Sequence, residues 1–280
     1  MSEDARWKVG PYAIRPVGWP ESWFSYADQY YYRSDGEGLT DLEVALVEVG
    51  PKATGPQSVN VDQLALSQVS GGRWRIASED ALDAVYDPAA SRLELRIFAH
   101  LEAPHLVLGN ALRGVISVAL PLFHKGLMFH ASSGILEGQG LFFPGISTAG
   151  KTTLALGMEG ATYMSDDITL VGALDATPTL LASPFFGIAG RKGANVDAPL
   201  AAVGVLVRKN PERTVIERLR PPDAARELMR HAICWSTDRE LQAAILSRVL
   251  ELAERVPVFA VERFLGDSSD EVCARVLEAR

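Results

Sequence analysis

The sequence predicts an α/β protein in two parts, a small β-rich lobe over residues 1–100 and a larger α/β domain over residues 101–280. Three observations carry that reading. Before residue 100 the apolar residues alternate with polar ones, as they do along half-buried strands. From 104 to 124, and again beyond 221, they recur at three- and four-residue spacing, as they do on helices. Between these helical stretches a short apolar strand runs into a glycine-rich loop and out into an apolar helical turn.

The chain has 280 residues, 48% of them hydrophobic and 22% charged, which is ordinary globular composition with ample material for a core. A net charge of −8 argues against a nucleic-acid partner, which would call for an excess of lysine and arginine. No basic run points to an anionic membrane surface. The start, MSEDARWKVGPYAIRPVG, has no apolar signal core, and no window approaches a spanning length of about 20 apolar residues. A soluble, cytoplasmic protein without a membrane partner is expected. Two cysteines, Cys234 and Cys273, are too few for a disulfide framework and lack metal-binding spacing.

Taken in order, residues 1–35 are dense in aromatics, which reads as strand-edge or core packing rather than a peptide-binding surface. Leu42–Val49 is an expected strand, closed by the turn material Gly50–Pro56. Trp74–Ala77 and Leu93–Ala99 are two more, separated by the polar stretch Ser78–Ser91. Nothing in this lobe is a candidate catalytic group. Pro104–His124 is an expected buried helix packed under the sheet of the larger domain and ended by Pro121, with His105 and His124 as cap or surface residues.

A hairpin follows. Leu127–Ala131 and Gly134–Leu136 run to the turn signal Glu137–Gly140, and Leu141–Phe143 returns. With the turn centred near Gly138 and Gln139, His130 falls across from about Ser147, beside the start of the next loop. That loop, Gly145–Thr152, reads GISTAGKT and fits the phosphate-binding pattern G-x-x-x-x-G-K-[ST] without a gap. Glycines let the backbone aim several N–H groups at phosphates, Lys151 reaches the β- and γ-phosphates, and the Thr152 hydroxyl is placed for Mg²⁺.

Beyond the loop helix, Gly160 is the expected C-cap, and Ser165-Asp166-Asp167 precedes the apolar strand Ile168–Val171. Adjacent carboxylates on a strand point to opposite faces, so both serve one site only if the strand frays or kinks there. Phosphoryl transfer needs one acid near Mg²⁺ and one to accept the acceptor hydroxyl's proton, and this pair could supply both. Ser183–Gly190 is an expected strand opening into a loop whose Arg191 or Lys192 could neutralise charge on the transferring group. Val203–Arg208 and Thr214–Leu219, joined by the turn Lys209–Glu212, read as a second hairpin. Two helices (Pro222–Arg230 and Asp238–Arg255), a strand (Val256–Val261) and a closing helix (Ser269–Arg280) complete the chain.

A histidine twenty-one positions before the loop lysine, a hairpin into GISTAGKTT and an SDD about fifteen residues later together resemble the kinase domain of HPr kinase/phosphorylase. The tail is similar too, with its hairpin, its Pro-x-x-Ala-x-x-x-Leu helix and its VPVF strand, so the resemblance covers roughly residues 100–265. It implies a diverged member with the mixed-sheet fold shared with phosphoenolpyruvate carboxykinases. It implies that Gly145, Ile146, Ser147, Thr148, Ala149, Gly150, Lys151, Thr152 and Thr153 bind the phosphates of ATP, with Thr152 and Asp167 on Mg²⁺. It implies Asp166 as general base, held by His130. Thr148 stands where that family commonly has glycine, and Pro184–Gly187 where it carries Glu-Ile-Arg-Gly. The expected acceptor is therefore a hydroxyl, serine first, on a protein, peptide or small molecule other than HPr. Relatives of this kind assemble as oligomers, which makes a homo-oligomer an expectation. The alternative from another class is an ATP-binding scaffold or chaperone for a biosynthetic peptide or protein partner. A carboxykinase is a weaker third reading, since the chain is short and shows no second cluster of basic and metal-binding residues.

Overall fold

Alternation of buried and exposed side chains builds a mixed sheet in the first half of the chain. The computed structural model describes residues 5–49, 64–78, 82–97, 104–209 and 211–280. Two compact units emerge, one of Met1–Ala119 with Cys234–Gln242 and one of Leu120–Ile233 with Ala243–Arg280. The first unit contains β1 (Trp7–Val9), β2 (Tyr12–Val17), α1 (Glu21–Tyr30), β3 (Tyr32–Arg33), β4 (Thr40–Val49), β5 (Ala65–Gln68), β6 (Trp74–Ser78), β7 (Leu82–Asp87) and β8 (Arg92–Ile97). Its strand order is β3-β1-β2-β4-β8-β7-β6-β5, with β4 parallel to both β2 and β8.

Two expectations change here. The polar stretch between the second and third expected strands contains β7, on which Leu82, Ala84 and Tyr86 are buried in alternation. Its outward acid Asp83 accepts a hydrogen bond from Arg75 of β6 at 2.6 Å, so the polar letters mark a solvated face rather than a loop. The aromatic segment folds partly as the helix α1, and most of its rings are core, with Phe24, Tyr26 and Tyr30 half-buried. Trp7 stacks on Trp19 at 5.7 Å, and Trp23 meets Trp19 edge-on at 5.5 Å, all three being buried. The Trp19 indole N–H donates to Val44 O at 2.8 Å, which satisfies its one polar atom. The turn at Gly50–Pro56, the end of the third expected strand and the side chain of His105 lie outside the described residues.

Helix α2 (Pro104–Phe123) is assigned to the first unit as far as Ala119, and there Gly114 lies so near β6 that an added Cβ would stand 2.6 Å from Ile76. The first unit thus extends past residue 100, and over this length the helix packs on that unit's sheet at Ile76. Nor does Pro121 end the helix. It forfeits one backbone bond in the last turn, and the helical course continues to Phe123.

The second unit holds β9 (Leu127–Leu136), β10 (Gln139–Pro144), α3 (Lys151–Leu156), β11 (Thr162–Ser165), β12 (Ile168–Gly172), β13 (Thr179–Leu181), β14 (Ala198–Val207), β15 (Val215–Arg218), α4 (Pro221–His231), α5 (Arg239–Arg255), β16 (Val258–Glu262) and α6 (Ser269–Glu278). α5 begins in the stretch assigned to the first unit. The strands run β10-β9-β12-β13-β14-β16-β15, and β10 also pairs with β14, so five of them close a ring of pairings. β10 and β16 lie parallel to β14 and the remaining pairs are antiparallel, which makes this a mixed sheet as expected. Leu141, Phe143, Leu154, Leu206, Phe259 and Val272 form the core that joins the loop strand to its helix.

The second expected hairpin is absent. β14 and β15 are not partners, because β16 inserts between them, parallel to one and antiparallel to the other. β16 buries Val258, Phe259 and Val261, whereas β15 is mostly exposed, so the more apolar strand takes the interior place. The segment from Ser183 forms no strand. α3 stops at Leu156 and Gly157 caps it, its N–H donating back to Thr153 O at 3.1 Å. Gly160, the expected cap, instead donates to the Asp270 carboxylate of α6 at 2.9 Å. Among the described residues, no helix is long and apolar enough to cross a membrane.

Candidate functional site

The β9–β10 hairpin aims the glycine-rich loop. Glu137 and Gly138 take φ 52° and 74°, the two-residue turn whose twist suits a hairpin. Pairing then runs from Gln139 opposite Leu136 to Pro144 opposite Ala131. Past that last pair the chain leaves β10 for the loop at Gly145, and the next residue of β9 is His130. In the loop Thr148 has φ 69° and Gly150 has φ 92°, both in the left-handed region. A Cβ built on Gly150 would meet nothing within 4 Å, so the backbone there faces open space.

Lys151 is buried and opens α3. Its Nζ donates to Gly145 O at 2.8 Å and Ile146 O at 3.2 Å, folded back over its own loop. Burial lowers the pKa of this ammonium below the usual lysine value, with the Asp167 charge acting in the opposite sense. α3 has only six residues, so the loop amides and the lysine carry the positive field rather than a long helix dipole.

β11 and β12 run one after the other against β9, and their line is broken at the aspartates. The register against β9 shifts between Tyr163 and Ser165. Ser165 Oγ accepts from the backbone N–H groups of Asp167 at 3.2 Å and Ile168 at 3.1 Å, and donates to Phe185 O at 3.0 Å. This is the kink that adjacent carboxylates need in order to share one site. Asp166, 3% exposed, accepts from Tyr163 Oη at 3.0 Å and Gly187 N at 2.8 Å on one oxygen, and from Ala189 N at 2.9 Å on the other. Asp167 Oδ1 lies 3.1 Å from His130 Nδ1. The histidine thus holds Asp167, not Asp166 as the resemblance implied. Ile168 pairs with His130, which leaves Asp167 one step away and Asp166 two.

A cavity of about 500 Å³ gathers these groups. His130, Ser147, Thr148, Gly150, Lys151, Thr152, Thr153, Asp166 and Asp167 line it, with Gly187 and Ile188 at its wall. Gly145, Ile146 and Ala149 do not line it, although Gly145 and Ile146 hold the lysine through their carbonyls. Arg191 is not brought in either. Its guanidinium lies 4.7 Å over the Tyr163 ring. Thr152 and Asp167 face the same space, as Mg²⁺ held beside a polyphosphate requires. Among the described residues no three His, Cys, Asp or Glu gather as a metal cage. Mg²⁺ takes one or two carboxylates plus phosphate oxygens and water, so the donor set fits.

Sequence reasoning missed Tyr163 and the Gly187 and Ala189 amides. Tyr163 precedes Asp166 by three residues and could have been noticed as a local donor. The amides reach the site only through the tertiary fold.

Fold and site define a mixed α/β protein in which a strand, a glycine-rich loop and a helix present one lysine to a cavity shared with two aspartates. No family model matches the chain, and no curated protein does. Among solved structures, the chain is similar to the HPr(Ser) kinase/phosphatase from Coxiella burnetii, with 11% identity and a TM-score of 0.32 over 54% of this chain and 88% of that one. A likeness at that level establishes neither family nor activity.

Proposed function

We propose that the protein is an ATP- and Mg²⁺-dependent kinase that transfers the γ-phosphoryl group to a hydroxyl, serine first, of a protein, peptide or small molecule. One observation carries this reading: the kink at Ser165 turns both aspartates toward the cavity that Lys151 enters. The amides of Ser147, Thr148 and Gly150 hold phosphate oxygens, and Lys151 leaves its loop carbonyls to do the same. Thr152 and Asp167 hold Mg²⁺, with His130 fixing the Asp167 carboxylate from behind. Bound there, the ion neutralises charge on the transferring group. Asp166 orients the acceptor hydroxyl and takes its proton. Its three donors hold it still, which suits a loose transition state in which the base mainly orients.

The test is a calorimetric titration of Mg²⁺-ATP into the wild type and Lys151→Ala, followed by transfer assays on Asp166→Asn. Binding should vanish in Lys151→Ala. Asp166→Asn should keep its affinity and lose transfer by about a hundredfold or more. Wild-type transfer in Asp166→Asn would remove the base assignment. The saturation of Asp166 also favours a second reading, a binder of ATP that grips a peptide or protein partner without transfer. ATP-dependent capture of a partner with no phosphate incorporated would support that one.

A further inference from the structure

The segment over residues 185–190 is stitched to the acidic kink, and one of its side chains is left without a task. Ser165 Oγ donates to Phe185 O at 3.0 Å. Gly187 N donates to one oxygen of Asp166 at 2.8 Å, and Ala189 N to the other at 2.9 Å. Gly190 N returns to Gly187 O at 3.2 Å and closes a tight turn. Gly187 leaves no room for a side chain, since an added Cβ would stand 3.0 Å from Asp167 Cβ and 3.4 Å from an Asp166 oxygen. The turn therefore lies against both aspartates, with Ile188 between the two amides that grip Asp166. Ile188 lines the cavity, yet it is 92% exposed. The other lining residues are polar, charged or glycine. Turns ordinarily favour Gly, Pro, Asn, Asp or Ser, and a β-branched aliphatic group held out in water adds nothing to the core.

What would cover it? A base takes a proton only from a hydroxyl within hydrogen-bond reach, so the acceptor hydroxyl must come to Asp166. Whatever carries that hydroxyl then meets the turn that holds the carboxylate. A small molecule drawn into a cavity is enclosed by walls that are themselves largely buried. A side chain as exposed as Ile188 is met instead by a surface arriving from outside. A polypeptide brings such a surface, because side chains flank its serine on either side. We propose that Ile188 is a specificity-determining residue for the acceptor, packing against an apolar side chain beside the serine of a protein or peptide substrate. This rests on the kinase reading of the cavity given above, with Asp166 as the base.

Peptides with a central serine flanked by leucine, serine or aspartate test it, with Mg²⁺-ATP as the phosphoryl donor. The wild type, Ile188→Ser and Ile188→Val are compared. The wild type should use the leucine-flanked peptide about tenfold or more better in kcat/KM than the serine-flanked one, the worth of covering an aliphatic side chain. Ile188→Ser should lose that preference through a raised KM for the leucine-flanked peptide, and Ile188→Val should keep most of it. Melting curves of both variants that match the wild type exclude a folding defect. A preference that persists in Ile188→Ser overturns the proposal, as does an equal loss for every peptide. So does a wild type that is indifferent to the flanking residues or phosphorylates none of the peptides. Calorimetry of Mg²⁺-ATP separates the two readings. If ATP binds the wild type and is lost in Lys151→Ala, those outcomes remove the role of Ile188 and leave the nucleotide site standing. If the wild type does not bind Mg²⁺-ATP, the nucleotide reading fails and this inference with it.

Discussion

Thr148 shows how the loop combines strain and function in one residue. At φ 69° a β-branched side chain occupies backbone space that suits glycine, at a cost of about 1–2 kcal/mol. Glycine there would remove that strain but add about 0.5–1 kcal/mol of unfolded-state entropy. Relief exceeds the entropy, so Thr148→Gly should stabilise the protein by about 0.5–1 kcal/mol, measured as a rise in the thermal midpoint. Tyr163→Phe should act the other way. It removes one of three donors to a buried carboxylate and should cost about 1–3 kcal/mol in urea unfolding. At this scale the glycine-rich loop that brings Lys151 and Thr152 to the cavity was legible, because its spacing is local in the chain. The partner of His130 was not, because moving one residue along a strand reverses a side chain's face, and the kink at Ser165 resets that alternation.

Elements were legible where their periodicity was local. The β9–β10 hairpin, the loop strand and the helices α4, α5 and α6 lie close to where the pattern put them. The pairing of β14 with β15 was not, because neighbours in sequence need not be neighbours in a sheet when a later, more apolar strand competes for the interior place. The loop strand depends on that arrangement. β14 passes β10 with Gly204 against Phe143, where an added Cβ would stand 2.7 Å from the ring. Gly204→Ala should therefore cost about 1–3 kcal/mol by overpacking. Because the displaced ring sits on the strand that feeds the phosphate loop, calorimetry should also find weaker Mg²⁺-ATP binding in this variant. Full stability and full affinity together would show that Phe143 can repack without cost.

Over the whole molecule, stability should depend on pH through two histidines. Burial holds both His124 and His231 below the usual value of 6.5, so the folded chain binds these protons less readily than the unfolded one. The stability they permit is complete above the unfolded pKa and is lost as the pH falls through the lowered folded values. The thermal midpoint should therefore drop as the pH falls from 7 toward about 5, and the drop should shrink when both residues are replaced by glutamine. An unchanged pH slope in the double variant would show that other groups govern it.

The glycine-rich loop between a strand and a helix, the hairpin that leads into it and the mixed character of the sheet can be read from the chain, because each follows from neighbours within a few residues or from a resemblance carried by such spacings. Strand order, the boundary between the units and the kink that lets two adjacent acids face one cavity depend on segments far apart in the chain. Those outcomes rest on competition for burial and for backbone hydrogen bonds between distant segments, which no local pattern encodes.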